Sequence, residues 1–497
     1  MTSIYNAIED IVGSKYVSEE DFVRQTYGKS IDAALPERWP DVVVRPGSTD
    51  EVSQILHIAN RFKAPVIPRG GACDLSGGSK PVEAGGIVID LTRMDKIINI
   101  DEQTLTVTAQ SGITWAQLNG VLFEKGYYTG NLGPGSGLSA TIGGGLSHHS
   151  VGGGGGAKYG TCTQHVVALQ VVLPQGDIVQ TGSNSSIYVK EPFCRYGLGP
   201  DLCAMFLGDQ GLLGVKTEAT LEIFPKPPYH AAKTFTLKEP SDVKAAKIWL
   251  AWRKKGDLGI YDSQYWTPLS VQGLTGGLVP AVNFPIAKAW KGLNKAVFFY
   301  TMEGETPEEL DSKQKIVDKI VAENGGEALG DTMEKGNWAK WHYEENGHWQ
   351  NFHALWGSIG PGSMPCSTEH HLPIHRFPEV NKKLGEWEIK NMDKLTKAGP
   401  AVQGLAMALL CGHTTVEMDC GLVCWPDEDK RELNYELWID QIKMLAKEGM
   451  VPYMMGEAVS RAVVAAGAYP GPYYDFLRSI KKTLDPNRIL SPGKFYL

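Results

Sequence analysis

Apolar and polar positions along the 497-residue chain fall into two periods, and the switches between them mark the elements. PDVVVRPGSTDEVSQILHIANRF (40–62) predicts a short strand, a turn and an amphipathic helix, capped by the side-chain oxygen of Ser48, Thr49 or Asp50. APVIPRGG (64–71) predicts a strand that ends in glycine. GGIVIDLTRMDKIINIDEQTLTVTAQSGITWAQLNGVLFEKGY (85–127) supplies β-branched strands around a DEQ turn, then a helix with Thr114 as its N-cap. HVVALQVVLPQGDIVQTGS (165–183) alternates as a hairpin turning at Gln175-Gly176-Asp177, and GDQGLLGVKTEATLEIFPKPP (208–228) gives another turn and strand.

Beyond Pro225, Pro227 and Pro228 the texture changes to long amphipathic helices such as DSKQKIVDKIVAEN (311–324), separated by strand-like pieces. The terminal YYDFLRSIKKTLDPNRILSPGKFYL predicts a helix stopped at Asp485-Pro486 and an extended tail. The expected division is a first domain over 1–228, a second over 229–450, and a segment over 451–497 that returns to the first.

Composition narrows the classes. Hydrophobic residues make up 42% and charged residues 21%, the balance of a packed globular chain. Net charge is −8, with no basic run long enough to track a phosphate backbone, so nucleic acid is not an expected partner. The start MTSIYNAIEDIVG has no basic-then-apolar leader and no stretch has membrane-spanning length, so a cytoplasmic location without a membrane span is expected. The eight cysteines contain no CxxC pair, which fits free thiols in a reducing compartment.

The candidate chemistry lies in three glycine-rich stretches: IPRGGACDLSGG (67–78), LGPGSG (132–137) and SATIGGGLSHHSVGGGGGAKYG (139–160), the last with nine glycines in 22 positions. Consecutive glycines let backbone N–H groups converge and approach a ligand with no Cβ between, which suits a pyrophosphate. A GxGxxG turn opening an amphipathic helix is absent here, because Gly152 to Gly156 run into AKYGTC, and a Rossmann domain is therefore disfavoured.

These stretches, with GIVIDLTRMDKIINID, LQVVLPQGDIVQTGS, LGDQGLLGV and LDPNRILSPGK, follow one another in an order that resembles the vanillyl-alcohol oxidase and p-cresol methylhydroxylase superfamily, which includes D-lactate and glycolate dehydrogenases. The resemblance implies an α+β protein: a two-subdomain FAD-binding domain of the p-cresol methylhydroxylase type, plus an α+β substrate (cap) domain with an antiparallel sheet. It places FAD against Pro68, Arg69, Gly70, Gly71, Ala72, Cys73, Leu75 and Ser76, and against Pro134, Gly135 and Ser136. It further implies contacts from Ser139, Ala140, Thr141, Gly143, Gly144 and Gly145, then Tyr159, Gly160, the backbone of Val215, and Lys494. The early position that carries covalent FAD in many members offers Cys73 and no histidine, so the FAD is expected to be non-covalent.

For the chemistry the resemblance is fragmentary. The hydroxy-acid branch carries GHxGDGNLH and GEHG, whose histidines and glutamate hold a divalent metal. Here GHTTVEMDC and GEAV retain His413, Cys420 and Glu457 as a candidate set for a metal such as zinc or manganese, and the base is lost. The arginine expected after Leu355-Trp356 is missing, since Gly357-Ser358-Ile359-Gly360 follow. Trp338, Trp341, His342, Tyr343, His348, Trp349, Phe352, His353 and Trp356 crowd a region that borders the pocket in relatives; they read either as an aromatic pocket wall or as core. His149, next to His148, and His371 with His375 in EHHLPIH are the candidate acids or bases, the latter two sharing a strand face if Pro373 permits a strand.

The function so implied is an FAD-dependent dehydrogenase or oxidase that moves a hydride from a CH–OH carbon, of a 2-hydroxy acid or related alcohol, to flavin N5. Two alternatives stay open: oxidation of a para-substituted phenol or benzylic alcohol, and a non-catalytic electron-transfer flavoprotein. The expected partners are a small alcohol, hydroxy acid or phenol and an electron acceptor of unknown identity, with a homodimer implied by the superfamily.

Overall fold

The computed structural model describes residues 3–497 except 30, 33, 276–287, 345–346, 350–363, 400–401 and 425–426. Three sheets carry the architecture. The first has Val42–Val44, Ile87–Asp90 and Val66–Arg69 in parallel, with Val17–Ser18 antiparallel on its edge. Ser48 is the N-cap of the helix Thr49–Phe62, its Oγ accepting from the Glu51 N–H at 3.2 Å, and Val52, Ile55, Leu56 and Ala59 form the stripe buried on this sheet.

The second sheet is antiparallel, in the order Ile97–Asp101, Thr106–Gln110, Val215–Glu222, Val166–Val172, Ile178–Gln180. The helix Trp115–Glu124 begins in a capping box in which Thr114 and Gln117 satisfy each other's free N–H groups.

The third sheet has eight strands, among them Tyr229–Leu237, Ala296–Gly304, Ile260–Trp266, Val402–Cys411, Thr415–Cys424 and Met364–Pro373. One face is covered by the helices Ser241–Arg253, Pro307–Glu323, Phe377–Lys390 and Arg431–Lys447, around a core that includes Trp249, Phe298, Val416, Met418 and Cys420. The other face turns toward the glycine-rich loops. Because successive side chains alternate between faces, Val416, Met418 and Cys420 enter the helix core while Glu417 and Asp419 point the opposite way.

The chain ends by rejoining its beginning. After the helix Gly471–Leu484, the Val66 N–H donates to the Ile489 carbonyl at 2.6 Å and the Ser491 N–H to the Val66 carbonyl at 2.7 Å. The return is held by the buried Lys481, which donates to Asp485 Oδ2 at 2.6 Å and to the carbonyls of Leu212 and Leu490. Asp485 also accepts from the backbone of Ile489 and Leu490.

Removing one partner of such a pair leaves an uncompensated buried charge. Asp485→Ala is expected to cost about 3–5 kcal/mol, read as a lower urea midpoint, with Asp485→Asn less damaging because it retains an acceptor; equal midpoints for the wild type and Asp485→Ala would refute the assignment.

Candidate functional site

A cleft with about 1390 Å³ of empty space, its solvent-open mouth included, lies between the glycine-rich loops and the open face of the eight-stranded sheet. Its loop side is lined by Pro68 to Leu75, Gly78, Ser79 and Pro134 to Ser136, by most of 140–152 other than Ile142, Leu146 and His149, and by Gln210, Gly211, Gly214 and Lys216. These loops rest on one another through bare backbone. A Cβ on Gly71 would overlap the Ser139 carbonyl oxygen, one on Gly70 would overlap Thr141 Oγ1, and one on Gly145 would stand 2.5 Å from the Trp115 indole nitrogen. The glycines thus permit close loop packing and at the same time present main-chain groups to the cavity.

Several buried polar atoms on this wall have no protein partner: Ser111 Oγ, His148 Nδ1 and both amide atoms of Gln210. Such atoms are costly unless a ligand or water completes them. Two cations line the same side. Arg69 donates to the carbonyls of Tyr27 and Ser79 at 3.2 and 3.4 Å, and Lys216 pairs with Asp209 at 2.6 Å. A long pocket with glycine walls, unsatisfied donors and acceptors and two cations fits a dinucleotide carrying a pyrophosphate.

Of the residues expected at the cofactor, Pro68 to Cys73, Leu75, Pro134 to Ser136, Ala140, Thr141 and Gly143 to Gly145 line this cavity. Six do not. Ser76 bonds Asp74 and receives the Gly456 N–H; Ser139 supports Gly71 and the Cys73 thiol; the Tyr159 hydroxyl meets that of Tyr128 at 2.9 Å. Gly160 lies beside Gln164, Val215 is packed in the first core, and the Lys494 ammonium donates to the Gly78 carbonyl behind the loop. Burial pushes that ammonium down to about 8.

The sheet side is different in charge. It presents Gln264, Glu369, Met407, Leu409, Glu417 and Asp419, with Tyr453 and Met454 at the margin. Glu369 stands opposite Asp419 in the register, and Glu417 lies two residues along the same strand face. Burial first, then the neighbouring Glu417, Asp419 and Asp74 carboxylates, hold the Glu369 carboxyl well above the ordinary range. Burial and Asp419 raise Glu417 in the same way, and its Oε1 has no hydrogen-bond partner.

Of the expected acids and bases, His371 stands opposite Glu417 in the strand register, whereas His149 and His375 fall elsewhere. His149 faces away from the cavity; its Nδ1 bonds Thr163 Oγ1 at 2.8 Å and its ring packs on Gly208. Its neighbour His148 lines the cavity instead, with Asp74 at 4.0 Å, and burial lowers its basicity. His371 packs beside the Tyr453 ring, and burial pushes its imidazole down to about 4. The strand does run through Pro373, but it stops there, so His375 sits exposed in the following turn and shares no face with His371.

The metal set is also corrected. His413 is exposed in the hairpin turn, Cys420 points into the helix core, and Glu457 is held by Arg38 through two hydrogen bonds of 2.7 and 2.9 Å. Among the described residues no group of three His, Cys, Asp or Glu side chains could hold a metal ion. Nor do the aromatics form the wall. Trp338 and Trp341 pack with Trp266 and Trp290 in a separate core, and the Trp349 indole N–H donates to the Leu132 carbonyl. Phe352, His353 and Trp356, and the loop after Leu355-Trp356, lie outside the described residues.

Comparison with known proteins agrees with this geometry. Residues 40–182 match the FAD binding domain family, and residues 466–495 match the C-terminal domain of FAD linked oxidases. The glycolate oxidase subunit GlcD of Bacillus subtilis is 39% identical over 219 residues, which are 42% of this chain and 44% of that protein. A mitochondrial D-lactate dehydrogenase (cytochrome) of Arabidopsis thaliana is 27% identical over 92% of this chain and 73% of its own length. The fold superposes on substrate-bound p-cresol methylhydroxylase with a TM-score of 0.83 at 19% identity, covering 99% of this chain and 96% of that one. A 4-ethylphenol oxidase from Gulosibacter chungangensis gives 0.82 at 17% identity with the same coverage.

The packing at Gly71 makes a direct test. Gly71→Ala should yield protein depleted in flavin absorbance and at least about tenfold weaker in FAD affinity. Gly120→Ala, where a Cβ meets nothing within 4 Å, should bind normally; full flavin content in Gly71→Ala would contradict the packing argument.

Proposed function

We propose that this chain, an FAD-linked oxidoreductase of the vanillyl-alcohol oxidase and p-cresol methylhydroxylase superfamily, oxidises a small uncharged alcohol at its CH–OH carbon, with the Glu369, Glu417 and Asp419 cluster receiving the hydroxyl proton. The observation that carries this reading is that cluster, facing the cavity from two paired strands. Bound FAD supplies the hydride acceptor. The backbone of Gly70 to Cys73 and Gly143 to Gly145, with Arg69 and Lys216, would hold it. Met407 and Leu409 exclude water from the sheet side, and a carboxylate among the three accepts the proton as the C–H bond is broken.

The same cluster supports a choice within the CH–OH donors. Lactate and glycolate, the substrates in the names of two relatives, carry a carboxylate. Here such a group would meet three acids, and the described sheet-side lining holds no lysine or arginine. The remaining segments of the chain, outside the described residues, contain neither residue in their sequence. A substrate carboxylate about 4 Å from one of these acids in its ionised form is repelled by about 4 kcal/mol at an effective dielectric near 20, whereas the protonated form, which burial favours at Glu369 and Glu417, does not repel it. An uncharged alcohol, benzylic ones included, avoids the repulsion, and the same observation favours the phenol or benzylic reading over a hydroxy acid.

Anaerobic mixing of the oxidised protein with D-lactate, glycolate, benzyl alcohol and vanillyl alcohol should bleach the flavin faster with the uncharged pair, by at least about tenfold. Faster bleaching by lactate would overturn the charge argument, and no bleaching by any of them would favour an electron-transfer role. Glu417→Gln is expected to slow bleaching by about 10²–10⁴-fold.

Stability gives an independent check. A carboxyl whose folded pKa is raised contributes stability that is fully present below the unfolded value of about 4.3 and is lost as pH rises through the folded value. Glu417→Gln should therefore melt above the wild type at pH 8 and level with it at pH 4; a lower melting point at pH 8 would show that the ionised side chain is not a liability.

A further inference from the structure

Gln264 is the one amide among the described residues on the sheet side of the cavity, and it is 1% exposed. Its orientation is set from both ends. Oε1 accepts from the Trp266 indole N–H at 3.2 Å, and Nε2 donates to Asp262 Oδ2 at 3.4 Å. Turned over, the amide would set NH₂ against an indole N–H and a carbonyl oxygen against a carboxylate. Asp262 is itself fixed by His342, whose Nε2 lies 2.8 Å from the same Oδ2. The other ring nitrogen of His342 has no partner among the described residues, and an ionised Asp262 can only accept, so the proton belongs on Nε2, which donates to Asp262.

An amide carries two N–H donors and one oxygen with two lone pairs. The two contacts use one donor and one lone pair, leaving one N–H. The acids share this sheet face but not its neighbouring strand: Glu417 and Asp419 lie across Val402–Cys411 from Gln264, and Glu369 one strand further. When ionised they only accept, so the wall needs a donor that carries no charge of its own. A lysine or arginine there would be neutralised by the cluster, whereas an amide stays a donor at every working pH.

We infer that Gln264 donates the hydrogen bond that seats the substrate oxygen, and that Asp262 and His342 are positioning residues that hold its amide. This rests on the reading of the cavity as the site of alcohol oxidation. As the hydroxyl proton moves to a carboxylate, the oxygen gains negative charge and the Gln264 N–H binds it more tightly, so the contact favours the transition state over the ground state. The ligand class is an uncharged molecule with one hydroxyl or carbonyl oxygen.

Benzaldehyde and toluene, matched in shape apart from the oxygen, form the probe pair, with binding to the holoenzyme followed by perturbation of flavin absorbance. The wild type should bind benzaldehyde at least about tenfold tighter than toluene. Gln264→Leu should abolish that gap and leave the toluene affinity unchanged, which also reports an intact pocket. Gln264→Met, closer in shape, repeats the measurement if the leucine variant loses flavin. His342→Leu should narrow the gap, because the amide then loses its fixed orientation. An unchanged gap in the Gln264 variants, or none in the wild type, overturns the inference. A wild type that shows the gap but is reduced by no alcohol sinks the functional reading and leaves the role of Gln264 standing.

Discussion

The site depends on backbone packed against backbone. Gly71 lies on the Ser139 carbonyl so closely that no Cβ fits between them, and Gly153 meets the carbonyls of Gly133 and Pro134 in the same way. A carbonyl oxygen of a packed loop cannot swing aside as the end of a lysine can, so these positions tolerate glycine alone. With the loops drawn together, polar atoms on Ser111, His148 and Gln210 are left facing inward without partners. A large cavity bounded by main-chain groups is the consequence, and it is what a dinucleotide cofactor requires.

The opposite wall arises from a second constraint, the two-residue period of a strand. In the eight-stranded sheet one face must be apolar to pack against four helices, and Val416, Met418 and Cys420 meet that need. The intervening Glu417 and Asp419 are then committed to the cavity side, as Glu369 is on the neighbouring strand. Burial first, and then the neighbouring acids, raises the carboxyls of Glu369 and Glu417 and destabilises their ionised forms. A fold tolerates such a cost where the charge has a use, and the proposed function gives it one, as proton acceptor.

The two walls differ in how legible they are along the chain. The glycine wall is legible because its signal is local: PRGG and ATIGGG are short runs of bare backbone, suited to close loop packing around a ligand and to little else. Ser76, Ser139 and Tyr159 sit in those motifs yet support the loops from behind, since neighbours in sequence need not face the same side. The acidic wall is less legible although T-V-E-M-D-C alternates plainly, because alternation does not say which face meets a cavity. His413 and Cys420 resemble a metal pair in sequence, but their separation, seven positions across a turn, places one at an exposed tip and the other in a core. Likewise the tryptophans near 338–349 are spaced as pocket lining could be, but Trp266 and Trp290 are there to enclose them.

Sequence alone determined the main elements, the cap at Thr114 and the glycine-rich cradle suited to a pyrophosphate, because each follows from interactions among residues a few positions apart, while the structure chose Ser48 among three candidate caps. Only the tertiary structure decided which acids meet, that Gln264 lines the same sheet face across Val402–Cys411, and that the returning C-terminal segment meets the first sheet at Val66. Those partners are separated by tens to hundreds of residues, and their meeting is fixed by strand order and register, which short-range patterns do not encode.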